Sequence, residues 1–366
     1  MNKKKMYAGA VVLFSGGVLA LSAFLVPGIV NSQVIAGNGP AVQAEVQPAA
    51  AGSAIPVLKV EAPAPVSTVT ADLLKDMSEA QIQQIYDYVN KPGLEPGNSG
   101  REITEAEVNR RLVLGDKYVY EGLRPEQPLP LKAGQAEVYV DLKTHTYTYP
   151  ERTMTDEELL QLIDWSYRLN YIAARHNVTA PPLAQDISEA KAKQLAAESV
   201  YKLFDADVSK LETKALLAEL GADKQWAWIV HSAPYKAGTL RGEGKEFQEY
   251  HVMIDAKTGD VLDTTVINGA LQRTPIDDAA ADNIEKDASW IHKATQIVMN
   301  KQGEKRTIVK ASLTDTGVNN KRGMVAVKLL LEDGSSYTAE FRYPNQALRC
   351  LIYEAAGEGE AGGDKE

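Results

Sequence analysis

The 366-residue sequence holds one cysteine, five histidines and five phenylalanines. With Cys350 alone no intrachain disulfide can form, so the fold cannot rest on a disulfide framework. Cys350 adjoins Leu351 and Ile352 and reads as a small core residue rather than a reactive thiol. Positive charge is also short. The 39 Lys and Arg stand against 49 Asp and Glu, a formal net charge of -10. That balance excludes a nucleic-acid surface or a polybasic membrane patch, both of which need clustered cations. No His-Glu-x-x-His pair, Walker loop or dinucleotide fingerprint occurs.

Near-matches to catalytic motifs fail on context. Ser199-Val-Tyr-Lys202 and Lys257-Thr258-Gly259 have the local form of penicillin-binding enzymes. Too few residues separate them for the helical subdomain those enzymes need, and Lys-Thr-Gly falls in an expected turn. Asp205, Asp207 and Ser209 begin like a calcium loop, but Lys210 stands where glycine is needed and Leu216 where a chelating acid is needed. Of the histidines, His145, His176 and His292 have no partner in the pattern. His231 and His251 fall on expected neighbouring strands, where a metal pair is conceivable and hydrogen-bonded strand histidines are commoner. Trp165, Tyr167, Tyr171, Trp226 and Trp228 suit either a sugar- or peptide-binding face or core packing, with packing the commoner use. No catalytic, cofactor-binding or metal residue is assigned, and the chain reads as a non-enzyme without a cofactor.

Lys3, Lys4 and Lys5 precede an uncharged, largely apolar run from Met6 to Val26, closed by Pro27 and Gly28. A helix of that length spans about 30 Å, the thickness of a hydrocarbon core. No charge follows until Glu45, so the lysines place the N-terminus in the cytoplasm and the rest outside. The run is long for a cleaved signal core. An uncleaved single-pass anchor is therefore expected over residues 1–30, with cleavage near Val42-Gln43-Ala44 as the alternative. Residues 31–69, rich in Pro and Ala, read as an extended linker.

An α+β domain set follows. Residues 70–180 carry helical pattern from Leu73 to Tyr86 and over 104–112. A strand-like alternation runs from Ala136 to Tyr149, and Thr155 and Glu158 frame a helix in a capping box. Residues 181–270 open a helix at Ser188. A short helix capped by Ser209 and Glu212 is expected next, then strands at Trp226–His231, Phe247–Asp255 and Asp260–Ile267. Residues 271–356 read as one helix, 277–300, and three strands, 305–314, 322–332 and 335–343. The acidic, Gly-rich tail 357–366 reads as disordered.

Val138-Tyr-Val-Asp141-Leu-Lys143-Thr144 aligns with Val252-Met-Ile-Asp255-Ala-Lys257-Thr258, each continuing to an apolar residue, Tyr147 or Val261. The pattern is a β-hairpin in which Asp accepts backbone N–H bonds and Gly259 takes positive φ. Upstream, Ile103-Thr-Glu-Ala106 matches Ile187-Ser-Glu-Ala190. Met77-Ser-Glu-Ala80 and Ile276-Asp-Asp-Ala279 share this helix-start form.

A helix opening Ile187-Ser188-x-Ala190, followed by a strand ending Ile254-Asp255-Ala256-x-Thr258-Gly259-x-Val261, resembles the PepSY family of small bacterial α+β modules. The likeness covers roughly 187–267, with a degenerate copy over about 103–150 where His145 replaces the turn glycine. The resemblance implies a helix packed on an antiparallel sheet and no catalytic residues of its own. PepSY modules accompany secreted metallopeptidases and membrane-anchored envelope proteins. The expected function is that of a non-enzymatic extracytoplasmic module which engages, and can restrain, a peptidase or cell-wall hydrolase. The alternatives are an envelope scaffold or sensor binding a wall fragment, and an unrecognised hydrolase.

Overall fold

The computed structural model describes residues 74, 77–89, 97–99, 101–143, 146–176, 185–220, 225–269, 273–314 and 316–356. The expected anchor, the linker region and the acidic tail lie outside them. Among the described residues no helix is long and apolar enough to cross a membrane. The described chain divides into two compact units. The first takes the residues up to 176 together with Lys236–Glu243. The second takes 185 to Tyr235 and everything described from Gly244 onward.

In the first unit, helices α1 (Glu79–Val89), α2 (Glu105–Asp116, continued by a π-helical turn at Lys117–Glu121) and α3 (Asp156–His176) surround a small sheet. Strand β3 (Thr146–Thr148) lies between β1 (Gly97–Ser99), which is parallel to it, and the antiparallel β2 (Tyr139–Asp141). The expected caps are in place. The Ser78 hydroxyl accepts from Gln81 N at 3.3 Å, and Thr104 with Glu107 and Thr155 with Glu158 form full capping boxes. Ile85, Tyr118, Val140, Leu159, Trp165 and Ile172 fill the core.

Glu107 does more than cap. Its fully buried carboxylate takes a bidentate pair from Arg101, at 2.7 and 2.5 Å, and accepts from Thr104 N, Thr104 Oγ1 and Met154 N. Arg101 also donates to the carbonyls of Pro150 and Arg152, so one ion pair ties the start of α2 to the segment that leads into α3. Burial alone would raise the Glu107 pKa; Arg101 and the backbone N–H donors overcome it and hold the group at about 2.

The second unit is built on one eight-stranded antiparallel sheet of order β4-β5-β6-β7-β11-β10-β9-β8. After helix α4 (Glu189–Phe204, N-capped by Ser188) the chain makes a meander of β4 (Glu212–Leu220), β5 (Gln225–Ala233), β6 (Phe247–Asp255) and β7 (Val261–Gly269). Between β5 and β6 it makes the short helix α5 (Ala237–Gly242), which belongs to the first unit and packs on α2. There Gly238 and Gly242 are required by close approach: a Cβ would lie 2.8 Å from Leu112 O or 2.6 Å from Asn109 O.

The chain then repeats the plan. Helices α6 (Asp278–Lys286, N-capped by Asp277) and α7 (Ser289–Gln296, continued by a π-helical turn at Ile297–Gln302) precede β8 (Ile308–Leu313), β9 (Met324–Leu331), β10 (Ser336–Arg342) and β11 (Ala347–Glu354). A short helix α8 (Thr316–Lys321) joins β8 to β9. The two meanders meet at their last strands through three pairs, Asp263↔Ile352, Thr264↔Leu351 and Thr265↔Cys350. Residues on both sides of 270 therefore share one sheet. One face of the first meander carries Trp228, Val230, Val252, Ile254 and Val266 against α4. The same face of the second carries Val325, Val327, Leu329, Ala339 and Phe341 in a cluster with α6 and α7.

Three expectations change. The segment expected as a helix capped by Ser209 and Glu212 is a turn leading into β4. Asp207 accepts from Ser209 N there, and nine residues from Glu212 pair in register with β5. Helix 277–300 is broken at Asp287, whose backbone is extended (φ -92, ψ 99) and whose carboxylate accepts from Ser289 N. The C-terminal region has four strands, not three. The missed strand, β11, carries a bulge at Arg349 that interrupts its two-residue alternation.

The Asp255 turn forms as its sequence dictates. Oδ1 accepts from Lys257 N at 2.8 Å and Thr258 N at 2.7 Å, Oδ2 accepts from Gln225 Nε2 at 2.5 Å, and Gly259 has φ +79. In the first unit Asp141 accepts from Lys143 N at 2.8 Å in the same way.

Two outcomes follow from these carboxylates. Because the folded pKa of Glu107 lies below its ordinary 4.5, its stabilisation is present above pH 4.5 and is lost as pH falls toward 2. The full loss amounts to about 3 kcal/mol, and thermal melts of the first unit at stepped pH will show it, with the step absent in Glu107→Gln. Asp255→Ala will lower the stability of the second unit by about 2 kcal/mol in chemical denaturation, and the folded variant will keep any partner affinity of the parent.

Candidate functional site

Strand alternation gives the large sheet a second face, opposite the one packed against α4, α6 and α7. On it five residues stand in cross-strand register over five strands: His231 pairs with His251, His251 with Thr265, Thr265 with Cys350, and Cys350 with Glu340. At the usual strand spacing this row is about 19 Å long. Polar and titratable side chains thus lie where an antiparallel sheet is commonly either solvated or apolar.

The middle of the row is an internally paired charge cluster. The bulge turns Arg349 onto Glu340, Nη1 to Oε2 at 2.5 Å, and Arg322 approaches the same oxygen at 3.9 Å. Burial pushes Glu340 upward, but these two guanidinium groups hold it below the ordinary carboxylate range. Arg342 donates to Val266 O at 3.2 Å; burial and the neighbouring Arg349 lower it to about 10. Asp263 accepts from the Thr265 hydroxyl at 2.7 Å, yet burial raises its carboxyl to about 7. Cys350 is 2% exposed, and burial with Glu340 beside it raises the thiol well above its ordinary value. A thiol in that state is a poor nucleophile.

The end of the row on β5 and β6 is different. His231 and His251 stack with ring centroids 4.3 Å apart. Glu249, two residues before His251 and nearly buried, brings Oε2 to 3.6 Å from His231 Nε2. One ligand atom from each of the three residues lies within 4.8 Å of the others. The sequence pattern paired the histidines; Glu249 escaped it because a third residue on a sheet face needs the strand register.

The other candidates resolve into packing. Ser199 Oγ bonds Thr264 Oγ1 at 2.7 Å between α4 and β7, and Lys257-Thr258-Gly259 is the β6–β7 turn, so the two do not meet as a catalytic pair. Trp228 is buried and donates Nε1 to Ile187 O at 3.0 Å, while Trp226 packs on the same core. Trp165 donates to the Tyr147 hydroxyl, Tyr167 stacks on Tyr118 at 4.8 Å, and Tyr171 packs on the first core. Together these aromatics form no exposed binding face. Asp205 pairs with Lys301 at 2.8 Å. His292 is exposed on α7, and His145 lies outside the described residues.

No family model matches the chain and no curated protein does. The likeness to the PepSY family therefore rests on the residues quoted above. Among solved structures the chain is similar to the Bacillus megaterium YpeB C-terminal domain, at 14% identity and a TM-score of 0.28. The match covers 46% of this chain and 64% of that one, which is less than two thirds of its length. A likeness at that level carries no functional argument.

The burial of Cys350 has a direct consequence. In the native chain it will react with a disulfide reagent such as Ellman's at least about 100-fold more slowly than in denaturant, followed by absorbance of the released thiolate.

Proposed function

We propose that the chain is a non-enzymatic binding module of the cell envelope that engages, and by that contact restrains, a peptidase or cell-wall hydrolase. The observation that carries this reading is the unequal treatment of the two sheet edges. Strand β8 is six residues long and has a bulge at Val309, a feature that deters further pairing. Strand β4 is nine residues long, pairs with β5 in unbroken register, and has no second neighbour among the described strands. It also presents Leu216 at 48% exposure. An open, regular edge with an exposed apolar side chain suits addition of an extended segment from a partner, in which backbone bonds give affinity and side-chain pockets give choice.

The cell-envelope setting rests on the Lys-flanked apolar run at residues 3–26, and the hydrolase as partner rests on the PepSY resemblance. The test is affinity capture from an envelope extract by the tagged full-length chain, read by mass spectrometry, with Leu216→Glu in parallel. Enrichment of a peptidase or wall hydrolase that is inhibited on titration, and whose affinity drops roughly 10-fold with Leu216→Glu, is the expected result. Capture of no hydrolase by a chain that melts cooperatively would sink the proposal.

A further inference from the structure

The end of the polar row at β5 and β6 has the chemistry of a metal centre. Two imidazoles and one carboxylate are the donor set that zinc takes in three-ligand sites, leaving a fourth position open. Two ligands at about 2.0–2.1 Å around a tetrahedral ion lie about 3.4 Å apart. The His231–Glu249 approach of 3.6 Å is close to that value, and too long for a direct hydrogen bond. His231 Nε2 is itself shielded from solvent and has no hydrogen-bond partner. A buried acceptor or donor left in that condition is costly, and a bound cation removes the cost.

The backbone supports the same reading. His231 and His251 are a direct cross-strand pair, so neither ring needs a loop to reach the other. Glu249 lies on the same face, two residues before His251 on β6. All three are therefore held by adjacent strands in the interior of an eight-stranded sheet, which fixes donor positions better than loops do. The two rings stack with centroids 4.3 Å apart, so both imidazoles face the same small volume. Glu249 supplies the negative charge that a divalent ion requires.

We infer that His231, Glu249 and His251 form a site for a divalent transition-metal ion of the zinc type. Imidazole donors select zinc, copper or nickel over magnesium and calcium, which take oxygen ligands. His231 is the most exposed of the three, with its side chain 37% exposed. The inference is independent of the β4 edge and of any hydrolase partner.

Full-length chain prepared without a histidine tag and stripped by a chelator is titrated with zinc chloride by calorimetry. One ion per chain is expected, with a rise in the melting temperature of the second unit. Cobalt(II) in place of zinc will give visible d–d bands. His231→Gln, at the most exposed of the three positions, will weaken zinc binding by more than the roughly 10–100-fold that loss of an outer-shell partner costs. Glu249→Gln will do the same, while His292→Ala will not. Folding of each variant is checked by near-ultraviolet circular dichroism. Absence of saturable binding, or binding unchanged in His231→Gln and Glu249→Gln, overturns the site.

Discussion

The three residue pairs between β7 and β11 are the constraint on which the second unit depends. Each four-stranded meander by itself has a helical layer on one face and an open final strand. Pairing those final strands turns two small sheets into one, and it does so between segments about 90 residues apart in sequence. The pairing is anchored on both faces. Thr264 and Leu351 point toward the helices, where Thr264 meets Ser199 and Leu351 joins the core under α7. Asp263, Thr265 and Cys350 point the other way into the charged row. A slip of one residue would turn Leu351 into that row and Cys350 into the core, so the polar groups specify the register as firmly as the apolar ones do.

That row is costly unless every charge is matched. Glu340 sits against Arg349 and Arg322, and removing one partner from such a buried pair typically costs about 3–5 kcal/mol. Asp263 is the exception, since burial prevails over its neighbours and its pKa rises to about 7. Its sign is opposite to that of Glu107. A carboxyl whose folded pKa lies above its ordinary value favours the fold while it is protonated. That contribution is complete below pH 3.8 and fades as pH rises through 7. Acidification therefore weakens the Glu107 clamp of the first unit and relieves the Asp263 site of the second. These two carboxyls therefore push the pH dependence of their units in opposite directions.

What was legible in the sequence is local. The hydroxyls of Ser78, Thr104, Thr155 and Ser188 each start a helix because the bonds they make close within three residues. Asp255 and Gly259 announce a hairpin for the same reason. Strand β4 was misread because Ser209 and Glu212 imitate a capping box. Its identity is decided by nine pairs with β5, which no local pattern contains. Strand β11 was lost to its bulge, and α5 is six residues whose place is set by contact with α2. The charged row was invisible because its members come from five strands at sequence distances of up to about 120 residues. Of the His-Glu-His cluster, the histidines could be paired from expected strand neighbours, whereas Glu249 requires knowing which residues of β6 face away from α4.

The distribution of unused capacity in the second unit is uneven. At the β8 end the chain closes itself: Val309 bulges, and Arg306 binds Glu304 at 2.6 Å and Asp333 at 2.7 Å beside the entry to the strand. In the middle, Arg349, Glu340, Thr265 and Asp263 satisfy one another. At the other end β4 has no second neighbour among the described strands, and on its neighbour β5 the residue opposite Lys214 is His231, with a shielded nitrogen that has no hydrogen-bond partner. A strand added along β4 would run about 10 Å from that histidine. Sheet packing explains the closed end and the paired middle through stability alone. It does not explain why an open edge and an unsatisfied imidazole occur on adjacent strands, each of which lowers stability unless something binds there. The proposed partner strand along β4 and the inferred metal at His231 would each relieve one of them.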